Sequence, residues 1–350
     1  MKKNKELLWT AIAIGLAALS ILAMLSQSKE LTLQDLAAAL GHASPFWLIL
    51  SVIAMSGYIV FEALTLYYLL DGAGYRKNPG QSLTYASADI YCASITPSAS
   101  GGQPVCAWFM KRDGVPMGYI TAILAVYLIG HTFATLTIGI ITLIGGWHVF
   151  ANLSWIAIIL VILGYLVMTG LAFLFIALLG MEKKIFRIGC RIIDWLTRKN
   201  LVKRSQYWKD RLDHTLSDYS AGVAVIKGKW KLMLIVYLLN IGQRLSQTIV
   251  STLMYMATGG TAKHAGTVFS AQVFSSIGSM CAPVPGGMGI ADYLLYSGLR
   301  SFMDKEAALQ LELLSRSTSF YLCVAVSMVI VIIGYIRRRN FYFSYKRRFR

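Results

Sequence analysis

The chain alternates long apolar runs with short polar ones, and the runs have the length of membrane spans. A helix rises about 1.5 Å per residue, so about 20 apolar residues cross the hydrocarbon core. Windows of that kind lie at Leu7–Leu25, Pro45–Leu70, Met117–Gly145, Trp155–Gly180, Trp230–Ala257 and Leu313–Ile336. Two weaker windows, Gln81–Met110 and Thr267–Leu299, are interrupted. The first contains Ile95-Thr-Pro-Ser-Ala-Ser-Gly-Gly-Gln-Pro104, the second Ala282-Pro-Val-Pro-Gly-Gly-Met-Gly-Ile-Ala-Asp292. Gly costs a helix interior about 1 kcal/mol and Pro about 3 kcal/mol relative to Ala, so the backbone is expected to leave the helix at both places. At membrane depth such a break survives only where it is buried in protein or lines a polar cavity. The pattern predicts an all-α polytopic membrane protein forming a single domain over 1–350. It has six long transmembrane helices and two broken hairpins, at 81–110 and 267–299.

Charge placement decides how the weak windows thread. Cytoplasmic loops carry an excess of Lys and Arg. The loop 181–229, extended to Lys231, holds 13 Lys/Arg against five acids, and the tail 336–350 holds seven and no acid. Both are expected on the cytoplasmic side, with Lys2, Lys3, Lys5, Arg76 and Lys77. A single crossing by Gln81–Met110 would put the basic loop outside. A window that dips in and returns keeps it inside. The same parity argument applies to Thr267–Leu299. It predicts two hairpins entering from opposite faces, as an inverted repeat of the kind transporters use. Each hairpin is either re-entrant or a full pair of short spans. Both termini are then cytoplasmic.

Composition agrees. Of 350 residues 56% are hydrophobic and 14% charged, well under the roughly 25% charged of a soluble domain. The net charge of +17 sits in cytoplasmic-type loops, which points to anionic lipid headgroups and not to nucleic acid. The start Met1–Lys5 followed by Leu7–Leu25 resembles a signal peptide, but the apolar stretch is long and no clear cleavage site follows, so an uncleaved first span is expected. The five cysteines lack CxxC spacing and read as small buried hydrophobes. Amphipathic patterns flank the spans. Leu33, Leu36 and Leu40 suggest an outer surface helix. Ile185, Ile188, Ile192 and Trp195 suggest either a helix on anionic lipid or a face of a small loop domain.

Charged side chains at membrane depth are costly and mark function. Glu62, Asp89, Arg244, Asp292 and Arg316 are the candidates, with Asn240, Gln243, Gln272, Gln103 and His131 as uncharged companions. Arg244 lies midway along its span, where an arginine costs at least ~2.5 kcal/mol, and so requires a carboxylate, carbonyls or a ligand phosphate. Arg316 is expected to bind a ligand in preference to snorkelling. His131 reads as a packing residue. Gly101, Gly102, Gly286 and Gly287 bring backbone close to a ligand or let helices pack. With two guanidiniums they make a candidate phospholipid-headgroup site. Asp89 and Asp292 either pair with the arginines or meet a cationic group, and protonation coupling is open. No catalytic constellation, metal set or cofactor motif is present in the sequence.

Pro97-Ser-Ala-Ser-Gly-Gly-Gln-Pro104 with Lys111-Arg112-Asp-Gly114, Pro283-Val-Pro-Gly-Gly-Met-Gly289 followed by an acid, and Arg316 in the last helix together resemble one family. It is the flippase-like transmembrane domain of lysylphosphatidylglycerol synthases and its stand-alone relatives, over roughly residues 5–340. The acid is commonly Glu in that family and is Asp292 here, one methylene shorter. The resemblance implies movement of a phospholipid, aminoacylated phosphatidylglycerol among the options, between the leaflets of a bacterial inner membrane, and a link to antimicrobial peptide resistance. Fifteen residues follow Tyr335, so an aminoacyltransferase domain is not expected and the chain is expected not to be an enzyme. Partners are phospholipids and anionic headgroups; a separate lipid-modifying synthase and a homo-oligomer stay open. The alternatives are a membrane enzyme or accessory subunit acting on an aminoacyl-phospholipid or polyprenyl-linked glycolipid, and a small-solute transporter.

Overall fold

The computed structural model describes residues 41, 43–199, 205–281 and 284–348. The expected first span Leu7–Leu25 and the outer helix through Leu33, Leu36 and Leu40 lie outside the described residues. Within them every regular element is helical. In chain order these are α1 (Pro45–Gly72), α2 (Pro79–Ile95), α3 (Gly102–Arg112), α4 (Met117–Gly145), α5 (Trp147–Ala151), α6 (Trp155–Gly180) and α7 (Glu182–Arg198). Next come α8 (Ser205–Lys227), α9 (Trp230–Ala257), α10 (Ala262–Gly278), α11 (Ile290–Leu299), α12 (Lys305–Arg316) and α13 (Cys323–Arg348). The protein is an all-α, multi-pass membrane protein. Four helical runs are long and apolar enough to cross a bilayer: α1, α4, Trp155–Ala177 of α6, and Lys305–Arg338 through α12 and α13. Helix α9 has the length, 28 residues, but its buried Asn240, Gln243 and Arg244 lower its hydropathy.

The last span differs from the expected Leu313–Ile336. Its helix starts at Lys305, capped by Asp304, whose carboxylate accepts from the Ala307 amide at 2.8 Å. The polar first turn hid this start from an apolar window. A π-helical turn, Ser317–Leu322, joins α12 to α13. Such turns insert a residue into the helical ladder and often mark functional positions.

Both interrupted windows are broken as expected. Helix α2 opens on a capping box, with Gly80 N–H donating to Asn78 Oδ1 and Asn78 N–H to Gln81 Oε1, both 3.0 Å, and with proline at its first turn. It ends at Ile95, a 3-10 turn spans Pro97–Ala99, and α3 returns to pack against α2. In the second window α10 ends at Gly278, 3-10 turns cover Ser279–Cys281 and Pro285–Gly287, and α11 packs back on α10. Gly286 and Gly287 have φ of 61° and 63°, the left-handed region that a side chain resists.

Two apolar cores flank these breaks. One gathers Leu69, Tyr85, Phe109, Met110 and Ile123 around α2 and α3. The other gathers Val161, Val250, Phe274, Leu294 and Leu311 around α10 and α11. Helix α9 lies along α1 and also touches α4, and α13 lies along α2. Outward, α6 exposes Ile159, Ile162, Leu166 and Phe173, the all-round apolar surface of a helix facing lipid. Helix α7 exposes Ile188, Ile192 and Trp195, and Lys209 of α8 pairs with its Asp194 at 2.7 Å.

Candidate functional site

The 3-10 turns of the two broken pairs touch each other between the two cores. Beside them opens a cavity of about 420 Å³. Its wall takes residues from both breaks, Ser98, Ala99, Gly286 and Gly287 among them, and polar side chains from α1, α2, α4, α9, α10 and α12. An apolar recess of about 290 Å³ between Leu143, Trp147 and Leu166 carries no charged side chain.

Of the ten residues expected at the site, seven line this cavity: Glu62, Asp89, Gln103, Arg244, Gly286, Gly287 and Arg316. Three do not. Gly102 packs on Asp89: a Cβ there would stand 2.7 Å from the Asp89 carbonyl oxygen and closer still to its carboxylate. Gly101 is filled in the same way by Thr96, whose hydroxyl accepts its N–H at 2.9 Å. These two glycines allow the two arms of the break to close and leave the wall to Gln103. Asp292 stands behind Arg316.

The two arginines differ. Arg316 is held: its Nε lies 2.8 Å from Asp292 Oδ1, its Nη2 donates to the Gly286 carbonyl at 3.1 Å, and its guanidinium sits 4.9 Å above the Phe320 ring. Asp292 also accepts the Gly289 N–H at 2.8 Å, capping α11. Glu312, one turn before Arg316 on α12 and 5% exposed, adds a buried carboxyl beside this half-buried pair. Arg244 is 8% exposed. Its Nη1 donates to Gln247 Oε1 at 2.8 Å and its Nη2 meets His131 Nε2. Its Nε has no partner, and among the described residues no carboxylate lies within 4.0 Å of it.

The same cavity holds a pair of carboxyl groups, Glu62 of α1 and Asp89 of α2, close enough to interact directly. Gln243 Nε2 donates to Glu62 Oε2 at 2.7 Å, and Gln103 Nε2 donates to Asp89 Oδ2 at 2.6 Å. Glu62 Oε1 has no partner.

Sequence reasoning passed over Glu312 and Gln247. Their spacings to Arg316 and Arg244, four and three residues along a helix, are the ones that bring side chains together. It counted Arg338 only as one charge of the cytoplasmic basic tail and did not foresee its partner: Arg338 reaches back to Asp113, and its Nη2 lies 2.7 Å from Asp113 Oδ2.

A polar cavity lined by broken backbone is the setting in which a helical membrane protein tolerates interrupted helices at membrane depth. Residues 8–327 match the family described as the lysylphosphatidylglycerol synthase TM region. The chain belongs to that family, and the match is to the transmembrane region alone. A UPF0104 membrane protein of Archaeoglobus fulgidus is 24% identical over 252 residues, covering 70% of this chain and 74% of the relative.

Proposed function

We propose that the protein moves a phospholipid between leaflets, with the headgroup passing through the cavity and the acyl chains remaining in the bilayer. The observation that carries this is Arg244. A guanidinium buried at membrane depth, lining a polar cavity and lacking a carboxylate, fits a phosphodiester that completes its charge and its unused Nε–H. A cavity of about 420 Å³ holds a headgroup and not a whole lipid. Gly286 and Gly287 supply backbone at the wall, and Gln103 a neutral donor. Arg316, already paired with Asp292, holds the second break in place and acts at the cavity rim. Family membership supports a lipid-handling role.

In the arrangement proposed, six long helices cross the membrane, Leu7–Leu25 and α9 among them, and α2–α3 and α10–α11 enter as opposed hairpins of an inverted repeat. Both termini face the cytoplasm of a bacterial cell. The lipid is a phosphatidylglycerol or an aminoacylated form of it, delivered by a separate synthase in the second case.

Proteoliposomes carrying a fluorescent phosphatidylglycerol test the assignment through its accessibility to a membrane-impermeant reductant. Arg244→Ala should abolish protein-dependent translocation while the protein stays folded, and Arg244→Lys should retain part of it. Unchanged translocation in the Arg244→Ala, Arg316→Ala protein would remove the assigned site. Chemical conversion of the lipid without leaflet movement would place the same cavity in an enzyme.

A further inference from the structure

We propose that Glu62 and Asp89 form a site for one monovalent cation, a proton or an alkali ion, which binds and crosses together with the anionic headgroup. The inference rests on the lipid reading above and adds its coupling ion. Glu62 is 1% exposed and Asp89 7%, and both face the cavity. The groups that donate to them are neutral: the amides of Gln243 and Gln103, with the Tyr127 hydroxyl beside Glu62. No Lys, Arg or His lies within 4.0 Å of either among the described residues. Glu62 Oε1 is buried and unpartnered, an acceptor without a donor.

Charge balance leads to the same place. Ionisable groups face the pair from every neighbouring helix: Tyr58 beside it on α1, Tyr127 and His131 on α4, Arg244 on α9. The thiols of Cys92 on α2, Cys106 on α3 and Cys323 on α13 complete the set. Arg244 is the only fixed cation among them. The two carboxyls are close enough to share one proton and then carry a single negative charge, which Arg244 balances, so an entering phosphodiester adds one uncompensated charge. The Arg316–Asp292 pair brings no net charge. Uncompensated charge in a low-dielectric site is prohibitive. A cation at Glu62 and Asp89, arriving with the phosphate at Arg244, removes the conflict, and one cation with one singly charged lipid makes the step electroneutral.

The test uses wild-type proteoliposomes with fluorescent phosphatidylglycerol, which has no amine to fill the carboxyl pair itself. The membrane potential is clamped with potassium and valinomycin, and protein-free vesicles serve as the control. A one-unit pH gradient, or in a separate arm a tenfold sodium gradient, should drive the lipid to about a tenfold asymmetry between leaflets, since one unit of pH is a factor of ten for one proton. The responding arm names the ion. Glu62→Gln with Asp89→Asn, and Glu62→Gln alone as the milder variant, should abolish the asymmetry. Equal distribution in the translocating wild type under both gradients overturns the proposal. A wild type that moves no lipid at all refutes the flippase reading instead. The cation site is then judged in detergent: a hydrophobic carbodiimide should modify Glu62 or Asp89, read by mass spectrometry, with labelling that falls as pH rises or sodium is added. Labelling insensitive to both, or none, overturns the cation site.

Discussion

The ion pair between Asp113 and Arg338 offers a sharp test of what holds the two ends of the fold together. Arg338 Nε lies 2.9 and 3.0 Å from the two Asp113 carboxylate oxygens and Nη2 2.7 Å from Oδ2, a bidentate fork. The side chains are 13% and 8% exposed. Tyr85 donates to the same carboxylate at 2.5 Å and Gln81 at 3.2 Å, and the guanidinium lies over the rings of Tyr85 and Phe109. The contact clamps α13 to the turn after α3 across 225 residues. Removing one partner of a buried pair costs about 3–5 kcal/mol. Arg338→Met leaves Asp113 with Tyr85 and Gln81, which places the expected loss near the low end, about 3 kcal/mol. Asp113→Asn strands the guanidinium over two aromatic faces and should cost a similar amount. The double variant removes both charges, so its loss should stay close to that of either single change, giving a coupling of about 2–3 kcal/mol. Unfolding in mixed micelles, followed by circular dichroism, measures all four proteins, and maleimide labelling of the buried Cys106 reports local opening. Losses that add within about 0.5 kcal/mol would refute the clamp.

Packing and backbone geometry set three further outcomes. Gly102→Ala would press its Cβ on both the Asp89 carboxylate and the Asp89 carbonyl, forcing α2 and α3 apart, and should lower both lipid translocation, severalfold, and thermal stability; wild-type values of both would show that the two helices are less closely packed there. Gly286→Ala places a side chain at φ 61° and against the Phe320 ring, with an expected loss of about 1–3 kcal/mol in thermal unfolding. Gly164→Ala sets a methyl against the Ile277 carbonyl where α6 crosses α10, costing about 1–3 kcal/mol by overpacking; wild-type stability would mean that the two helices are less closely packed.

Helices, breaks and the charged part of the cavity wall were legible in the sequence, for separable reasons. Apolar length and Gly-Pro clusters are local signals, so α4, α6 and α9 begin and end where the pattern puts them, and the helices break within both clusters, the first at 97–100 just before its glycines and the second through Gly286 and Gly287. Burial of charge is also local: a carboxylate or guanidinium within an apolar window must turn inward, which brought Glu62, Asp89 and Arg244 to one cavity. The choices that could not be read depend on three dimensions. Nothing local tells Gly102, which packs, from Gly287, which lines the wall. Nothing local joins Arg338 to an aspartate 225 residues away. The start of α12 was hidden because its first turn is polar and capped and not apolar.

The two breaks are held by different means, and that difference bears on how the cavity can change shape. The first is closed from within: Gln103 of α3 donates to Asp89 of α2 across the break, and Gly102 lets the two helices meet there. The second is tied to another span: Asp292 and the Gly286 carbonyl both bind Arg316, and Phe320 lies against Gly286. Arg316 directly precedes the π turn Ser317–Leu322. A π turn has one residue more than the α-helical ladder accommodates, so its conversion to α-helix would rotate α12 relative to α13. Rotation of α12 would carry Arg316, and through it the Gly286–Gly287 wall, while the first break kept its own closure. Such a rotation would shift the Gly286–Gly287 wall relative to Arg244 on α9 and the Glu62–Asp89 pair on α1 and α2.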